Sequence, residues 1–315
     1  MNKTPLVSVV VATYNQKDVV EQALQSIVDQ SYDNLEIIIS DDCSSDGTQS
    51  ILTDFAARYP GVLLFLQKKN LGITANYNFL TEKCSGKYVA TFSGDDVMLL
   101  NKIERQVDAL EADEGSSFCH HAVTILDYHS NIPGKVLTRK YVNNITTIHD
   151  VLRGFGIPGS MALMYRRALV KNPAFEPGIP VASDWFQIIK LAMVGRGIYI
   201  DESLCFYRQD SQYNGKDPSS YENDFLKTIA TARMLYATPG DEIDKSCDYA
   251  KARYFLGAAF RRLAKGEGAE CRTALKYPAK HLGLFFLAAI LFILSYISVS
   301  KIFLQKSRRL VRFFI

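Results

Sequence analysis

The chain has 315 residues, 48% hydrophobic and 22% charged, an ordinary globular balance with room for one large domain and an appendage, or for two domains. A net charge of +3 is too small to argue for nucleic acid. The six cysteines form no C-x-x-C pair and no evident framework, so they read as reduced thiols in a cytosolic compartment.

Met1-Asn2-Lys3-Thr4-Pro5 runs straight into a predicted strand, and no signal peptide is expected. Leu6–Thr13 is a continuous apolar, β-branched run, the pattern of a parallel strand buried on both faces. Asp18–Gln30 sets Val19, Val20, Ala23, Leu24, Ile27 and Val28 on one face of a predicted helix. Leu35–Ser40 is a second strand ending in Asp41-Asp42, Ser44-Ser45-Asp46-Gly47 a turn, and Thr48–Tyr59 a second helix. Val62–Leu66, Ile73–Cys84 and Lys87–Ser93 continue as strand, helix and strand. Alternation at this pitch implies right-handed βαβ crossovers and a parallel sheet with helices on both faces. No G-x-G-x-x-G follows the first strand and no P-loop is present, so neither nucleotide motif is supported.

The fourth strand closes in Phe92-Ser93-Gly94-Asp95-Asp96. Carboxyl ends of strands are where open α/β sheets bind ligands. Adjacent carboxylates there repel unless a positive charge lies beside them, and a hard divalent cation carrying a phosphorylated ligand answers that need. Helix capping explains the pair poorly, because Asn101 already suits the N-cap of the predicted helix Lys102–Ala112.

Ser117–Leu126 reads as a strand, Asp127–Asn144 as a polar excursion with hairpin character, and Ser160–Tyr165 as a short strand leaving through Arg166-Arg167. Asn172–Ala182, rich in Pro and Gly, is a loop. Ser183–Val194 restarts as a helix with Asp184 in its first turn, where the dipole favours a carboxylate. Ile198–Ile200 and Leu204–Tyr207 are predicted short strands, and Arg208–Ser220 a polar loop. Tyr221–Ala237, Ile243–Lys265 and Ala269–Tyr277 follow as helices. Leu282–Ser300 carries no charge and is flanked by Lys276 and Lys280 before and Lys301, Lys306, Arg308, Arg309 and Arg312 after. Roughly 20 such residues span a bilayer, and basic flanks suit anionic headgroups. The expectation is a membrane segment that spans once or dips in and returns, with a buried core helix as the alternative. The tail Lys301–Ile315 mixes cations with apolar residues, as an interfacial segment does.

Several pieces together resemble glycosyltransferase family 2: Val7-Ser8-Val9-Val10-Val11-Ala12-Thr13-Tyr14-Asn15; Glu36 through Asp41-Asp42-Cys43-Ser44-Ser45-Asp46-Gly47-Thr48; Asn70-Leu71-Gly72; Ser93-Gly94-Asp95-Asp96; Ser183-Asp184-Trp185; and Tyr207-Arg208. They stand in the family's order and cover roughly residues 6 to 215. The resemblance implies the GT-A fold: an α/β domain with a mostly parallel, Rossmann-like sheet flanked by helices. With the rest of the chain this gives three expected parts: a glycosyltransferase domain at 1–215, a helical extension at 216–281, and a membrane-associated segment with a basic tail at 282–315.

The resemblance also implies roles. The donor nucleotide-sugar would lie against Ala12, Thr13, Tyr14 and Asn15, with the Tyr14 ring stacking on the base or packing at the strand end. Asp42 would read a uracil or thymine ring. Lys69 would meet the diphosphate or simply be solvated, and Arg208 would neutralise the diphosphate. Asp95 and Asp96 would hold the ribose and a Mg²⁺ or Mn²⁺ ion. The family often writes that site D-x-D-D, and Ser93 here replaces the first Asp. Asp184 would be the general base of a single inverting displacement, with Ser183 where the family usually has Glu. Asp46 and Gly47 are read as turn chemistry, and His120 and His121 as acceptor-side or structural.

The implied enzyme moves a sugar from a UDP- or dTDP-sugar to a glycan or lipid-linked acceptor in cell-surface polysaccharide synthesis, at the cytoplasmic face of a membrane. Two alternatives stand beside it. One is a polyprenyl-phosphate sugar synthase, to which Arg166 and Arg167 hint. The other is a non-catalytic, membrane-anchored nucleotide-binding module.

Overall fold

The computed structural model describes residues 4–154, 156–209, 218–278 and 284–295. The strands β1 (Val7–Thr13), β2 (Leu35–Asp41), β3 (Val62–Leu66) and β4 (Tyr88–Ser93) alternate with α1 (Val20–Val28), α2 (Thr48–Arg58) and α3 (Ile73–Glu82). β1 is buried at every residue, as its unbroken apolar run requires. Parallel pairing of β1 with β2 and β4, and of β2 with β3, brings the ends of all four strands to one edge.

The chain continues through β5 (Val97–Met98), α4 (Lys102–Glu111), β6 (Ser116–Asp127), β7 (Pro133–Leu137), β8 (Ile145–Thr146), α5 (Ile148–Gly154) and β9 (Met164–Arg166). Then come α6 (Ser183–Val194), β10 (Arg196–Gln209) and α7 (Pro218–Tyr236). The sheet has ten strands in the order β3-β2-β1-β4-β9-β6-β10-β5, with β7 on β6 and β8 on β10. It is mixed, where a mostly parallel sheet was expected. β9 runs antiparallel to β4 and β6, β7 to β6, and β5 and β8 to β10. Short return strands need no helical crossover, so they pair antiparallel.

Two further differences bear on the site. The predicted strands Ile198–Ile200 and Leu204–Tyr207 are one strand, β10, whose register against β6 shifts around Ser203. The shift turns the charged pair Asp201-Glu202 out to solvent. β10 also continues through Arg208 and Gln209, which pair with Leu126 and Asp127, so Arg208 lies in the sheet and not in a loop. Asn101 does precede α4, but its side chain makes no capping hydrogen bond.

The chain divides into two compact units, Met1–Val151 with Gly156–Thr228, and Leu152–Phe155 with Ile229–Ile315. The second is helical: the end of α7, then α8 (Glu242–Ala264), α9 (Gly268–Ala274) and α10 (Phe285–Leu294). Asp241 caps α8 by accepting from Asp244 N at 2.7 Å. Tyr254, Phe255, Leu256, Phe260 and Leu263 of α8 are buried, with Ala288 and Leu291 of α10.

The C-terminal expectation is corrected here. α10 has 10 residues, which at 1.5 Å each reach about 15 Å, half of a bilayer core of about 30 Å. Among the described residues, no helix is long and apolar enough to cross a membrane. Part of α10 is covered within its own unit, while Phe286, Ile290 and Ile293 are exposed. The hydrophobic membrane segment drawn over 282–300 is therefore not supported, and the location at the cytoplasmic membrane face that rested on it falls with it. The rest of that segment and the basic tail lie outside the described residues.

At the edge opposite the ends of β1 and β4, Glu36 holds three pieces of the sheet. Its carboxylate accepts from Ser8 Oγ of β1, and from Ser85 N at 2.6 Å, Ser85 Oγ at 2.7 Å and Gly86 N at 2.9 Å in the turn before β4. Partial burial alone would raise this carboxyl, but the hydrogen bonds outweigh burial and hold it below its ordinary 4.5. Glu36→Ala is expected to destabilise the protein by about 2 kcal/mol at neutral pH, the scale of hydrogen bonds to a charged group. Because the folded carboxyl is depressed, this contribution is present above the ordinary value and is lost as pH falls through the folded one. Urea unfolding at neutral and acid pH checks it: the gap between wild type and variant narrows in acid.

Candidate active site

The ends of β1 and β2 are laced together. Asp41, fully buried, accepts from Thr13 Oγ1 at 3.0 Å, Ser44 N at 2.8 Å and Gln49 Nε2 at 2.8 Å, and also from Ser44 Oγ. Asn15, at φ 51°, donates its N–H to Ser44 Oγ at 2.8 Å and accepts from Ser45 N at 2.9 Å. Asp46 accepts from Thr48 N and Oγ1 and from Lys17 N, and Gly47 takes φ 106°, so both serve the turn. Within this frame Ala12 and Thr13 are buried, and the Tyr14 ring stands 50% exposed just past the strand.

Asp42 is 4% exposed and ties down the loop after β3. Its two oxygens accept from Leu71 N at 2.6 Å and Gly72 N at 2.9 Å. The Asn70-Leu71-Gly72 piece is thereby fixed beside the end of β2. Lys69, one residue earlier, is exposed.

Past β4 the backbone turns sharply. Gly94 N donates to Ala12 O at 3.1 Å. A Cβ on Gly94 would lie 2.5 Å from Gln16 Oε1 and 2.6 Å from Thr13 Cγ2, so the approach to β1 needs glycine. Ser93, in place of an expected Asp, donates its hydroxyl to Asp95 Oδ1. Asp95 is half-buried and Asp96 is 1% exposed. Burial, and after it the Asp95 charge, push Asp96 well above the usual carboxylate range against the pull of Arg208.

Arg208 is 4% exposed. Its main-chain N–H donates to Asp96 Oδ1 at 2.9 Å, and Nε donates to Asp95 O at 2.8 Å. Nη2 donates to Gln22 Oε1 at 2.6 Å and Nη1 to Asn131 Oδ1.

Asp184 is half-buried in the first turn of α6, its Oδ1 accepting from Trp185 N at 2.7 Å. Ser183 Oγ lies 3.0 Å from Thr74 Oγ1 of α3, and Asp224 of α7 accepts from Val181 N and Ala182 N just before α6. Trp185 stacks on Phe225 with centroids 5.4 Å apart. α3 connects this helix to the β4 turn, through Thr74 on Ser183 and Tyr77 on Phe92. Tyr77, buried and donating to Phe92 O at 2.8 Å, is pushed up by burial and then by the charges of Asp95, Asp96 and Asp184. Tyr207 is raised by burial and by the same three carboxylates. Asp95, Asp96 and Asp184 thus act on one pair of phenols.

Other expected residues lie elsewhere. His120 and His121 are fully buried; burial takes His120 down to about 3 and His121 well below its ordinary range, so both are neutral core residues. Arg166 donates to Ser116 O, Leu110 O and Tyr88 Oη, and Arg167 to Gly86 O and Ser85 O. Both sit by the start of β4, roughly 17 Å from its far end at 3.3 Å per residue. Tyr77 and Asp224 shape the site without having been singled out in the sequence, whereas Ser93 and Tyr207 stand inside motif pieces.

A divalent cation fits the Asp95–Asp96 pair on its chemistry. Both are hard oxygen donors, and the repulsion at buried Asp96 is only partly offset by Arg208. Among the described residues no group of three or more His, Cys, Asp or Glu is gathered for a metal. The remaining ligands would come from water and phosphate oxygens, as is usual for Mg²⁺.

The model of the family described as Glycosyl transferase family 2 matches residues 8–172. EpsE of Bacillus subtilis, named as a glycosyltransferase, is 38% identical over 112 residues, 35% of this chain and 40% of EpsE. TuaG of the same organism, named as a teichuronic acid biosynthesis glycosyltransferase, is 36% identical over 107 residues, 34% of this chain and 42% of TuaG. The match therefore spans about two-fifths of each relative. Residues 1–349 of S. aureus TarS, solved in complex with UDP, superpose with a TM-score of 0.66 at 16% identity, over 96% of this chain and 91% of that one. That likeness is one of fold, a mixed α/β sheet of GT-A type.

Gly94→Ala tests how tightly the turn is held. The added methyl must displace Thr13, whose hydroxyl is bound to Asp41. A loss of about 1–3 kcal/mol is expected, the range for overpacking. Thermal unfolding reads the effect.

Proposed function

Since the chain belongs to glycosyl transferase family 2, we propose that it transfers a sugar from a UDP- or dTDP-sugar to a glycan or lipid-linked acceptor, with inversion. The observation that carries this reading is a chain of contacts along α3, where Tyr77 donates to Phe92 O just before the Asp95–Asp96 turn and Thr74 meets Ser183 beside Asp184. An inverting displacement needs those two kinds of carboxylate and no carboxylate nucleophile. The catalytic domain is proposed to cover residues 1–215.

The donor base would lie against the exposed Tyr14 ring, bordered by Ala12, Thr13, Asn15 and Asp42, with Lys69 toward the diphosphate. Asp95 and Asp96 would hold Mg²⁺ or Mn²⁺ and the ribose. The chemistry such a cation supplies is Lewis-acid stabilisation of the charge left on the nucleoside diphosphate. Asp184 takes the proton of the acceptor hydroxyl as its oxygen forms the new bond to the anomeric carbon. The bond from that carbon to the diphosphate breaks, and the electron pair leaves with the nucleotide. UDP bound to TarS, and the teichuronic acid in the name of TuaG, support a uridine nucleotide and a cell-surface polysaccharide.

The polyprenyl-phosphate reading loses its hint, because Arg166 and Arg167 are bound to backbone carbonyls near the start of β4. A non-catalytic module is disfavoured by the presence of Asp184 beside a complete Asp95–Asp96 pair.

Asp184→Asn separates catalysis from binding. Donor affinity is expected to stay unchanged while transfer falls by ~10²-fold or more, the scale of losing a general base. Calorimetry gives the first quantity and product mass, across a panel of UDP- and dTDP-sugars with Mn²⁺, gives the second. Full transfer in the variant would place the base elsewhere.

A further inference from the structure

Arg208 is a buried cation beside the Asp95–Asp96 turn. One residue grips both acidic neighbours, through its backbone N–H to Asp96 Oδ1 and its Nε to Asp95 O. The other side of the guanidinium is anchored to Gln22 of α1 and to Asn131 in the β6–β7 turn, itself at φ 54°. The Tyr128 ring lies beneath, 5.9 Å from the guanidinium carbon. β10 reinforces the grip: Phe206 and Cys205 pair with Val97 and Met98 directly after Asp96. The β4 turn is therefore bracketed by one strand, with Arg208 at its end.

We propose that Arg208 is a positioning residue, which fixes the Asp95–Asp96 turn against α1 and the β6–β7 turn, and does not act by direct contact with the diphosphate. This rests on the donor-site reading above. The planar fork is essential to the role, because three donors must reach Asp95, Gln22 and Asn131 in set directions. A lysine keeps the charge but cannot make that pattern. A residue serving the diphosphate by charge alone tolerates lysine; a brace does not.

The test is calorimetric titration of the full chain with UDP, with and without Mn²⁺. Wild type is expected to bind UDP more tightly with Mn²⁺. Arg208→Gln and Arg208→Lys are both expected to lose ~10–100-fold in the Mn²⁺-dependent gain, the usual effect of removing an outer support of a metal ligand, and to keep metal-free UDP affinity. The double variant Gln22→Ala/Asn131→Ala leaves the arginine in place and is expected to lose part of the same gain. It also decides the matter if the Arg208 variants do not fold. Loss of metal-free affinity in Arg208→Gln with wild-type behaviour in Arg208→Lys overturns the proposal in favour of a diphosphate contact. A full Mn²⁺ gain in the double variant overturns it as well. A wild type whose UDP affinity ignores Mn²⁺ overturns the donor-site reading itself, and the proposal with it.

Discussion

Two adjacent carboxyl groups held at the end of β4 are the constraint on which the rest of the site depends. Burial, and after it the Asp95 charge, disfavour a charged Asp96. The fold answers with short, directional contacts: Ser93 on Asp95, the Arg208 backbone on Asp96, and glycine where β1 and the turn nearly touch. Remaining repulsion is what a divalent cation would relieve. A buried carboxyl beside a second one is poor for stability and well suited to binding, and unusual electrostatics of this kind concentrate at functional sites.

The neighbouring acidic pair, Asp41-Asp42, shows the opposite use of the same residues. Asp41 is saturated by Thr13, Ser44 and Gln49, and Asp42 by the backbone of Leu71 and Gly72. These carboxylates set loop shape, which leaves Tyr14 standing clear at the strand end. Asp184 is supported differently, by a helix whose start is tied to α3 through Thr74 and to α7 through Asp224. Asp184 and the Asp95–Asp96 pair thus rest on separate supports within one unit, with α3 touching both through Thr74 and Tyr77.

The parallel half of the sheet was legible because unbroken apolar strands alternating with amphipathic helices leave few other arrangements. The site motifs were legible because Asp and Gly at strand ends carry chemistry in their positions. The placement of Arg208 was not. The sequence put it at the start of a polar loop, whereas it lies in β10 and its side chain is held by Gln22 and Asn131, which lie 186 and 77 residues away in sequence. The antiparallel strands β5 and β8 are too short to carry a period. The C-terminal run misled for a related reason. Composition counts apolar residues without saying where a helix stops, and α10 covers Phe285–Leu294 alone.

The most direct measurement is crystallographic: the protein soaked with UDP and Mn²⁺, with anomalous differences collected at the manganese edge. The account predicts a manganese peak on the Asp95 and Asp96 carboxylates, a uracil ring on Tyr14, and Asp184 across the cleft from the diphosphate. A manganese peak away from that pair, or UDP seated off the ends of β1 and β4, would contradict it.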